Sequence, residues 1–362
     1  MMGEEARELD ASITVLASSL DDAAVETCDD VVLGDPTDPA ALDALAECVD
    51  VITFDHELVD LEQIEALEQR GVVVRPNAAA LEFAVDKAHQ RRSFAAAGLP
   101  VPRFLVVTTS RDPRLMAFLN ELREPPVVKA ARGGYDGRGV LFPNFREQAV
   151  HMIEELAKTG AVVVEERLHL QGEVAQLIAR APDGSVALYP LVTTVQSDGM
   201  CVEVDYPAQV TVDMAQRASE LAEQIASLID SVGILAIEFF VTSTGLFINE
   251  IALRPHNSGH WTIEGASASQ FANHLHAVLG DELAPVLPLC DNAVMVNVVG
   301  ADEPGSLELA MAVEGTHVHD YGKSWRPGRK LGHVTATGDD AHEVHVRAWE
   351  GARAYGTRTR EA

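Results

Sequence analysis

Basic residues are scarce in this chain. Its 362 residues include 27 Lys and Arg against 56 Asp and Glu, a formal charge of -29. A surface of that sign repels phosphate backbones, which argues against general nucleic-acid binding. Cysteine is as sparse: Cys28, Cys48, Cys201 and Cys290 lie scattered, with no CxxC spacing. That argues against a disulfide framework or a structural zinc site and for buried thiols. Long apolar runs are missing too; residues 234–241 form one of the longest, and charge breaks it well short of a membrane span. No basic opening followed by an apolar core marks a secretory leader, so cytoplasmic residence is the expectation. The glycine-rich stretch 133–139 fits neither the P-loop pattern nor the dinucleotide fingerprint GxGxxG. No internal repeat or low-complexity tract is visible.

What is present is enough apolar residue, 47% of the chain, for two or three domains with a sizeable core. The first part alternates β-branched runs with helical patterns. Strands are expected at 13–17, 31–33, 51–54 and 72–74, and helices at 38–48 and 61–70. This is a βα repeat, hence a parallel sheet. A helix at 1–9 opens the chain where a doubly wound sheet normally opens with a strand and a glycine turn, so the first sheet is expected to lack that strand. A helix at 77–97 ends at Gly98 and Pro100. A small α+β region then spans about 103–206, with strands at 127–130, 140–142, 161–166, 174–179 and 186–191 and a helix at 145–158. A third region opens with a helix at 212–232, continues with a hairpin at 235–241 and 246–251 and a helix at 267–279, and ends β-rich.

Chemistry concentrates in a few places. The glycine loop joins two strands, with Lys129 just before it. Glycines let successive backbone N–H groups face one anion, and Lys129 adds a point charge against phosphate; a flexible turn without ligand fits the same residues. The hairpin sharpens the case. Thr242-Ser243-Thr244-Gly245 reads as its turn, and folding back there sets Glu238 opposite Asn249 or Glu250. Facing carboxylates repel across a strand pair. A divalent cation would relieve that, and Mg2+ commonly binds through one or two carboxylates plus substrate phosphates. Two solvated glutamates on an open face are the competing reading, weakened by the apolar neighbours Ile237, Phe239, Ile248 and Ile251. Arg254 and the polar turn of His256, Asn257, Ser258 and His260 suit a small anion or a phosphoryl group in transfer. A satisfied structural turn also fits, whereas Pro255 and Gly259 disfavour a helical two-histidine metal site. Glu165, Glu166, Arg167 and Leu168 close a strand, with Glu173 beyond; this is a nucleotide pocket or an ordinary strand end. Lys323, Arg326, Arg329 and Lys330 form a basic cluster in an acidic chain.

Taken together, residues 133–139, the run 249–262 and the run 326–333 resemble the N5-carboxyaminoimidazole ribonucleotide synthases, an ATP-grasp family of purine biosynthesis, and the similarity extends over residues 1 to about 350. The resemblance implies an α/β and α+β ATP-grasp fold of three domains. These are an N-terminal domain at 1–80 lacking its first strand, a helical linker at 81–102, a central lid at 103–207 and a C-terminal domain with a β-rich tail at 208–362. ATP would lie between lid and C-terminal domain, with Lys87 and Lys129 on its phosphates. The loop Gly134, Tyr135, Asp136, Gly137, Arg138 and Gly139 would close over it. Glu165, Glu166, Arg167 and Leu168 would frame the adenine, Glu173 would take the ribose, and Gln196 would add a contact. Glu238 and Glu250 would hold Mg2+ (or Mn2+), with Asn249 beside them. Bicarbonate would attack the γ-phosphoryl group to give carboxyphosphate and ADP, and the amine of 5-aminoimidazole ribonucleotide would take the carboxyl group. Arg254, His256 and Asn257 would hold the anionic intermediate. Tyr135 and Asp136 would stand near the amine, with Asp136 as the candidate base. Lys323, Arg329 and Lys330 would bind the ribonucleotide phosphate, and a homodimer is expected. The chain departs from the family pattern at its start, at Leu253, where proline is common, and at Asp55 and Glu57, where two glutamates are common. The competing functions are another ATP-grasp carboxylase or transformylase, and a nucleotide-binding homologue without activity.

Overall fold

Short β-branched runs alternating with amphipathic segments build a parallel ladder at the start of the chain, where β1 (Thr14–Ala17) pairs with β2 (Asp30–Leu33). The computed structural model describes residues 1–134, 139–197 and 199–358. The helix Met2–Glu8 precedes β1. It buries Ala6 completely, and Glu5 accepts a hydrogen bond from Ser269 at the head of the helix Gln270–Leu279. The strands expected at 51–54 and 72–74 contract to one parallel bridge, Ile52 to Val74. Side chains just beyond Ile52 draw this segment toward the C-terminal part of the molecule. Thr53 Oγ1 lies 2.9 Å from His274 Nε2, and the Glu57 carboxylate accepts from Arg254 at 2.6 Å.

The helix expected over 77–97 is two helices, Ala78–Val85 and Lys87–Ala96. Asp86 separates them. Its backbone is extended and its carboxylate accepts from the N–H groups of Ala88 and His89, an N-cap inside what reads as one apolar pattern. Lys87 is thereby fixed at the first residue of the second helix.

A four-stranded antiparallel sheet follows, in the order β3 (Phe104–Val107), β6 (Val162–Glu165), β4 (Val127–Ala130), β5 (Val140–Leu141). Val128, Val162 and Val164 face the helices Leu115–Glu121 and Arg146–Leu156. Alternation along the strands puts Lys129, Val163 and Glu165 on the other face, toward the helix Lys87–Ala96.

The remaining strands are β7 (Gly172–Arg180), β8 (Val186–Leu188), β9 (Val192–Ser197), β10 (Met200–Tyr206), β11 (Gly233–Thr242), β12 (Gly245–Ala252), β13 (Asn292–Val299), β14 (Thr316–Asp320) and β15 (Lys330–Gly338). Among the described residues they form one antiparallel sheet in the order β12-β11-β7-β9-β10-β13-β15-β14, with β8 beside β7. Residues 172–206, read from sequence as part of the lid, therefore belong with the C-terminal strands, and the lid sheet ends at Glu165. The reason is length: β7 pairs with β11 along its whole run, from Gly172 opposite Val241 to Arg180 opposite Gly233. The helix Val212–Ile229 packs Leu221 and Ile225 on Ile237, Phe239 and Ile248, and the helix Ala341–Tyr355 covers Val294, Val296 and Val334.

Candidate active site

The hairpin β11–β12 turns over two residues, Ser243 and Thr244, with Thr242 paired to Gly245. Glu238 falls opposite Glu250 and Phe239 opposite Ile248, so Asn249 is an extra residue on β12, a β-bulge. The bulge sets the chemistry. Ile248 and Ile251 are both buried in the core, so Asn249 and Glu250 between them both turn toward Glu238. The amide of Asn249 donates to Glu238 Oε2 at 3.4 Å, and His256 Nε2 stands 3.7 Å from Glu238 Oε1. Burial, then Glu250, then Glu173 push the Glu238 carboxyl up to about 8. Two like charges facing across a ladder carry that penalty unless a proton or a cation intervenes.

Cations meet this edge from two other elements. Lys87, at the head of its helix, pairs with Glu250, and its own N–H donates to Ala131 O at the root of the glycine loop at 2.8 Å. Burial would raise the Glu250 carboxyl, but Lys87 outweighs it and holds it below its ordinary range. Lys129 donates to Asn249 Oδ1 at 3.4 Å and pairs with Glu165 at 2.8 Å. Arg91, 1% exposed, binds the other oxygen of Glu165 at 2.6 Å and donates to the Asn249 carbonyl at 2.6 Å. Burial alone would lift Glu165; Arg91 and Lys129 override it and bring the carboxyl down to about 2. Burial likewise moves the Lys129 ammonium below its usual range. Glu173 on β7 is raised by burial. It faces Thr194 of β9, and Gln196, two residues along, shares that face. Gly133 and Gly139 flank the loop at φ 77 and 78, a backbone region that favours glycine.

Past β12 the chain makes the polar turn. Arg254 is clamped by Glu57, which also accepts from Leu253 N at 3.2 Å. Gln270, fully buried, accepts from His256 N and donates to His256 O, each at 2.8 Å, and lies 2.9 Å from His260 Nδ1. A side chain at Gly259 would collide with Gln270 and Leu177, so this close approach requires glycine. Burial, with Arg254 and His260 nearby, holds the His256 imidazole well below its ordinary range, so it is neutral. Asn257 opens the short 3-10 turn Asn257–Gly259 and is half-buried. Lys330 interacts electrostatically with both His256 and His260. Burial, then Arg329 and Lys330, holds the Lys323 ammonium below its usual range. The basic cluster therefore adjoins the turn.

The sequence matches a ribonucleotide synthetase pre-ATP-grasp domain over residues 1–85, an ATP-grasp domain over 92–271 and a phosphoribosylaminoimidazole carboxylase C-terminal domain over 293–347. The N5-carboxyaminoimidazole ribonucleotide synthase of Mycobacterium tuberculosis is 44% identical over 96% of this chain and 83% of its own. The chain belongs to the N5-carboxyaminoimidazole ribonucleotide synthase family. The family member from Synechocystis is 37% identical over 96% of this chain and 92% of its own. The crystal structure of the synthetase from Thermus thermophilus matches with a TM-score of 0.90 at 33% identity, covering 100% of this chain and 97% of that one. The synthase from Aspergillus clavatus in complex with ADP and 5-aminoimidazole ribonucleotide matches with a TM-score of 0.87 at 27% identity, covering 98% and 95%. Membership in this family removes the reading as a transformylase or another ATP-grasp carboxylase.

Against that family, the expected residues divide. Lys87, Lys129, Glu173, Glu238, Asn249, Glu250 and His256 meet in one place. Tyr135, Asp136, Gly137 and Arg138 lie outside the described residues. The Glu165 carboxylate is enclosed by Arg91 and Lys129, two buried cations whose charge it balances. Glu166 is engaged by Arg103 N at 2.9 Å, Arg167 stacks on Phe142 at 5.6 Å, and Leu168 is half-buried. Arg91 and Gln270 were not found from sequence, and Glu57 stood out only as a departure from the family pattern. Arg91 had one legible signal, its i, i+4 spacing from Lys87 on one helix face. The pairings of Glu57 and Gln270 had none: Arg254 lies 197 positions from Glu57, and Gln270 reaches His256 and His260 only because its helix packs back on the turn.

Proposed function

We propose that this protein carboxylates 5-aminoimidazole ribonucleotide at its amine, with ATP and bicarbonate, to give N5-carboxyaminoimidazole ribonucleotide, ADP and phosphate. The observation that carries this is the facing pair Glu238 and Glu250, reached by Lys87 and Lys129 on one side and joined through the His256–His260 turn to the cluster of Lys323, Arg329 and Lys330 on the other. One end suits a polyphosphate with a cation; the other suits a phosphate monoester.

The donors at the hairpin are carboxylate and amide oxygens, a set that fits Mg2+ or Mn2+. A divalent ion held by Glu238 and Glu250 would neutralise charge on the terminal phosphates. The chain's own groups do the rest. Lys87 leaves Glu250 for phosphate oxygens, and Lys129 supports it from β4. An oxygen of bicarbonate attacks the γ-phosphorus, the bond to the bridging oxygen breaks, and ADP departs. The amine then attacks the carboxyl carbon, directly or as trapped CO2, while phosphate leaves. The amine proton passes to a base, for which Asp136 is the candidate. Arg254, fixed by Glu57, and the neutral His256 hold the anion with donors positioned in advance. Carboxyphosphate is short-lived in water, so turnover requires a site from which solvent is excluded. A homodimer working in the cytoplasm is the expected setting; no helix among the described residues is long and apolar enough to cross a membrane.

The test uses bicarbonate labelled with 18O. Product formation should require ATP, bicarbonate and the aminoimidazole ribonucleotide together, and one labelled oxygen should appear in inorganic phosphate. Unlabelled phosphate would overturn the carboxyphosphate route. Nucleotide binding without any acceptor-dependent ADP release would point to an inactive homologue.

A further inference from the structure

A column of rings connects the two halves of the site. His319 on β14 and His333 on β15 are cross-strand neighbours, and their imidazoles stack at 4.5 Å and 15°. His260, from the anion turn, stacks on His333 at 4.8 Å and 26°, and Phe271 stacks on His260 at 5.6 Å and 21°. His333 is fully buried. Its Nδ1 lies 2.9 Å from the Tyr321 hydroxyl, and the Lys323 ammonium sits over the Tyr321 ring at 5.4 Å. At the outer end His319 is tied to Glu264 at 2.6 Å. The column thus starts in the turn that reaches Glu238, and at His333 it meets Tyr321, whose ring carries the Lys323 ammonium.

We infer that His333, with Tyr321, is a positioning residue that sets the separation between the ribonucleotide-phosphate cations and the carboxylation centre. The turn 256–260 and the segment 319–333 are far apart in sequence, and no ladder runs between the turn and β15. Their spacing is fixed where His333 fills the gap between His260 and His319. Aromatic faces stack at a defined distance, and a buried ring has no room to shift. His333 is in ring contact on both faces, with His260 and with His319, so the column behaves as a spacer of fixed length. An amine that must meet a short-lived carboxyl donor needs its distant phosphate anchored at the right distance; an ångström of misplacement lowers the yield of each encounter. The inference rests on the placement of the ribonucleotide phosphate at Lys323, Arg329 and Lys330 proposed above.

The experiment compares His333→Ala, His333→Phe, Tyr321→Phe and Arg329→Ala. It measures KM for the aminoimidazole ribonucleotide, ADP affinity by calorimetry, and the ratio of ADP released to product formed. His333→Ala should raise that KM about tenfold or more and lift the ratio above one, because donor decays before the amine arrives. ADP affinity should not change. His333→Phe, which keeps a ring, should restore most of the coupling, and Tyr321→Phe should show a smaller rise in KM. Unchanged KM and ratio in both His333→Ala and Tyr321→Phe would overturn the inference. If His333→Ala fails to fold, Tyr321→Phe alone decides. Arg329→Ala keeps the two claims apart. A normal KM there sinks the phosphate placement, whereas a raised KM there with normal column variants sinks only the spacer.

Discussion

The two ends of the site handle charge in opposite ways. At the nucleotide end cations and carboxylates interleave: Arg91 and Lys129 on Glu165, Lys87 on Glu250. At the end proposed for the ribonucleotide, Arg329 and Lys330 stand near Lys323 and depress its ammonium after burial has done so. The first end satisfies itself when empty and must exchange partners to bind. The second gathers like charge, which a phosphate dianion bound there would relieve. Self-satisfied charge can be buried deeply, as Arg91 and Glu165 are, whereas clustered charge stays nearer water; Arg329 and Lys330 are only half-buried.

Breaking the first end should give the largest effects. Glu238→Gln should lower turnover about a thousandfold, read as ADP release. The same change should stabilise the empty protein by roughly 1–3 kcal/mol at neutral pH, because the amide needs no proton to sit opposite Glu250; a loss of stability in denaturant unfolding would refute the repulsion account. Glu165→Gln leaves Arg91 and Lys129 buried with no counter-charge, and should cost about 3–5 kcal/mol in the same measurement. Arg329→Ala should change unfolding by less than about 1 kcal/mol, since Arg329 is only half-buried and donates to the carbonyl and hydroxyl of nearby Ser324.

A pH series sharpens the contrast. Glu238 is pushed up to about 8, against an ordinary value of 4.5, by burial and by Glu250 and Glu173. In the folded state it therefore keeps its proton where the unfolded chain has lost it. Its contribution to stability is complete below pH 4.5 and gone once the pH has risen through about 8. The empty wild-type protein should lose thermal stability across that window more steeply than Glu238→Gln. Equal slopes would show that the facing carboxylates do not titrate as a pair.

Local signals told most about the hairpin and least about the charge network. Thr242 to Gly245 announced the reversal, which fixed the partner of Glu238 to within one residue. The choice between Asn249 and Glu250 was made by packing of Ile248 and Ile251, which no local pattern states. The break at Asp86 was hidden because an N-cap aspartate looks like any polar residue on a helix surface until its neighbours' N–H groups are seen to need it. Residues 51–54 and 72–74 have strand composition, yet Thr53 and Glu57 are recruited by His274 and Arg254 across the molecule, and one bridge remains. Arg91 and Glu165 meet across 74 positions, so their pairing is a property of the assembled domains alone.

The extra residue at Asn249 has a corollary for tolerance to deletion. Removing it would leave β12 and β11 matched one to one, from Ala252 opposite Ala236 to Gly245 opposite Thr242. A shortened ribbon of this kind should still fold, having lost an irregularity and no core side chain. What would vanish is the amide that touches both Glu238 and Lys129, together with the carbonyl that accepts from Arg91. At this one position the strand is longer than its ladder demands, and the surplus residue ties the buried charges of three elements together.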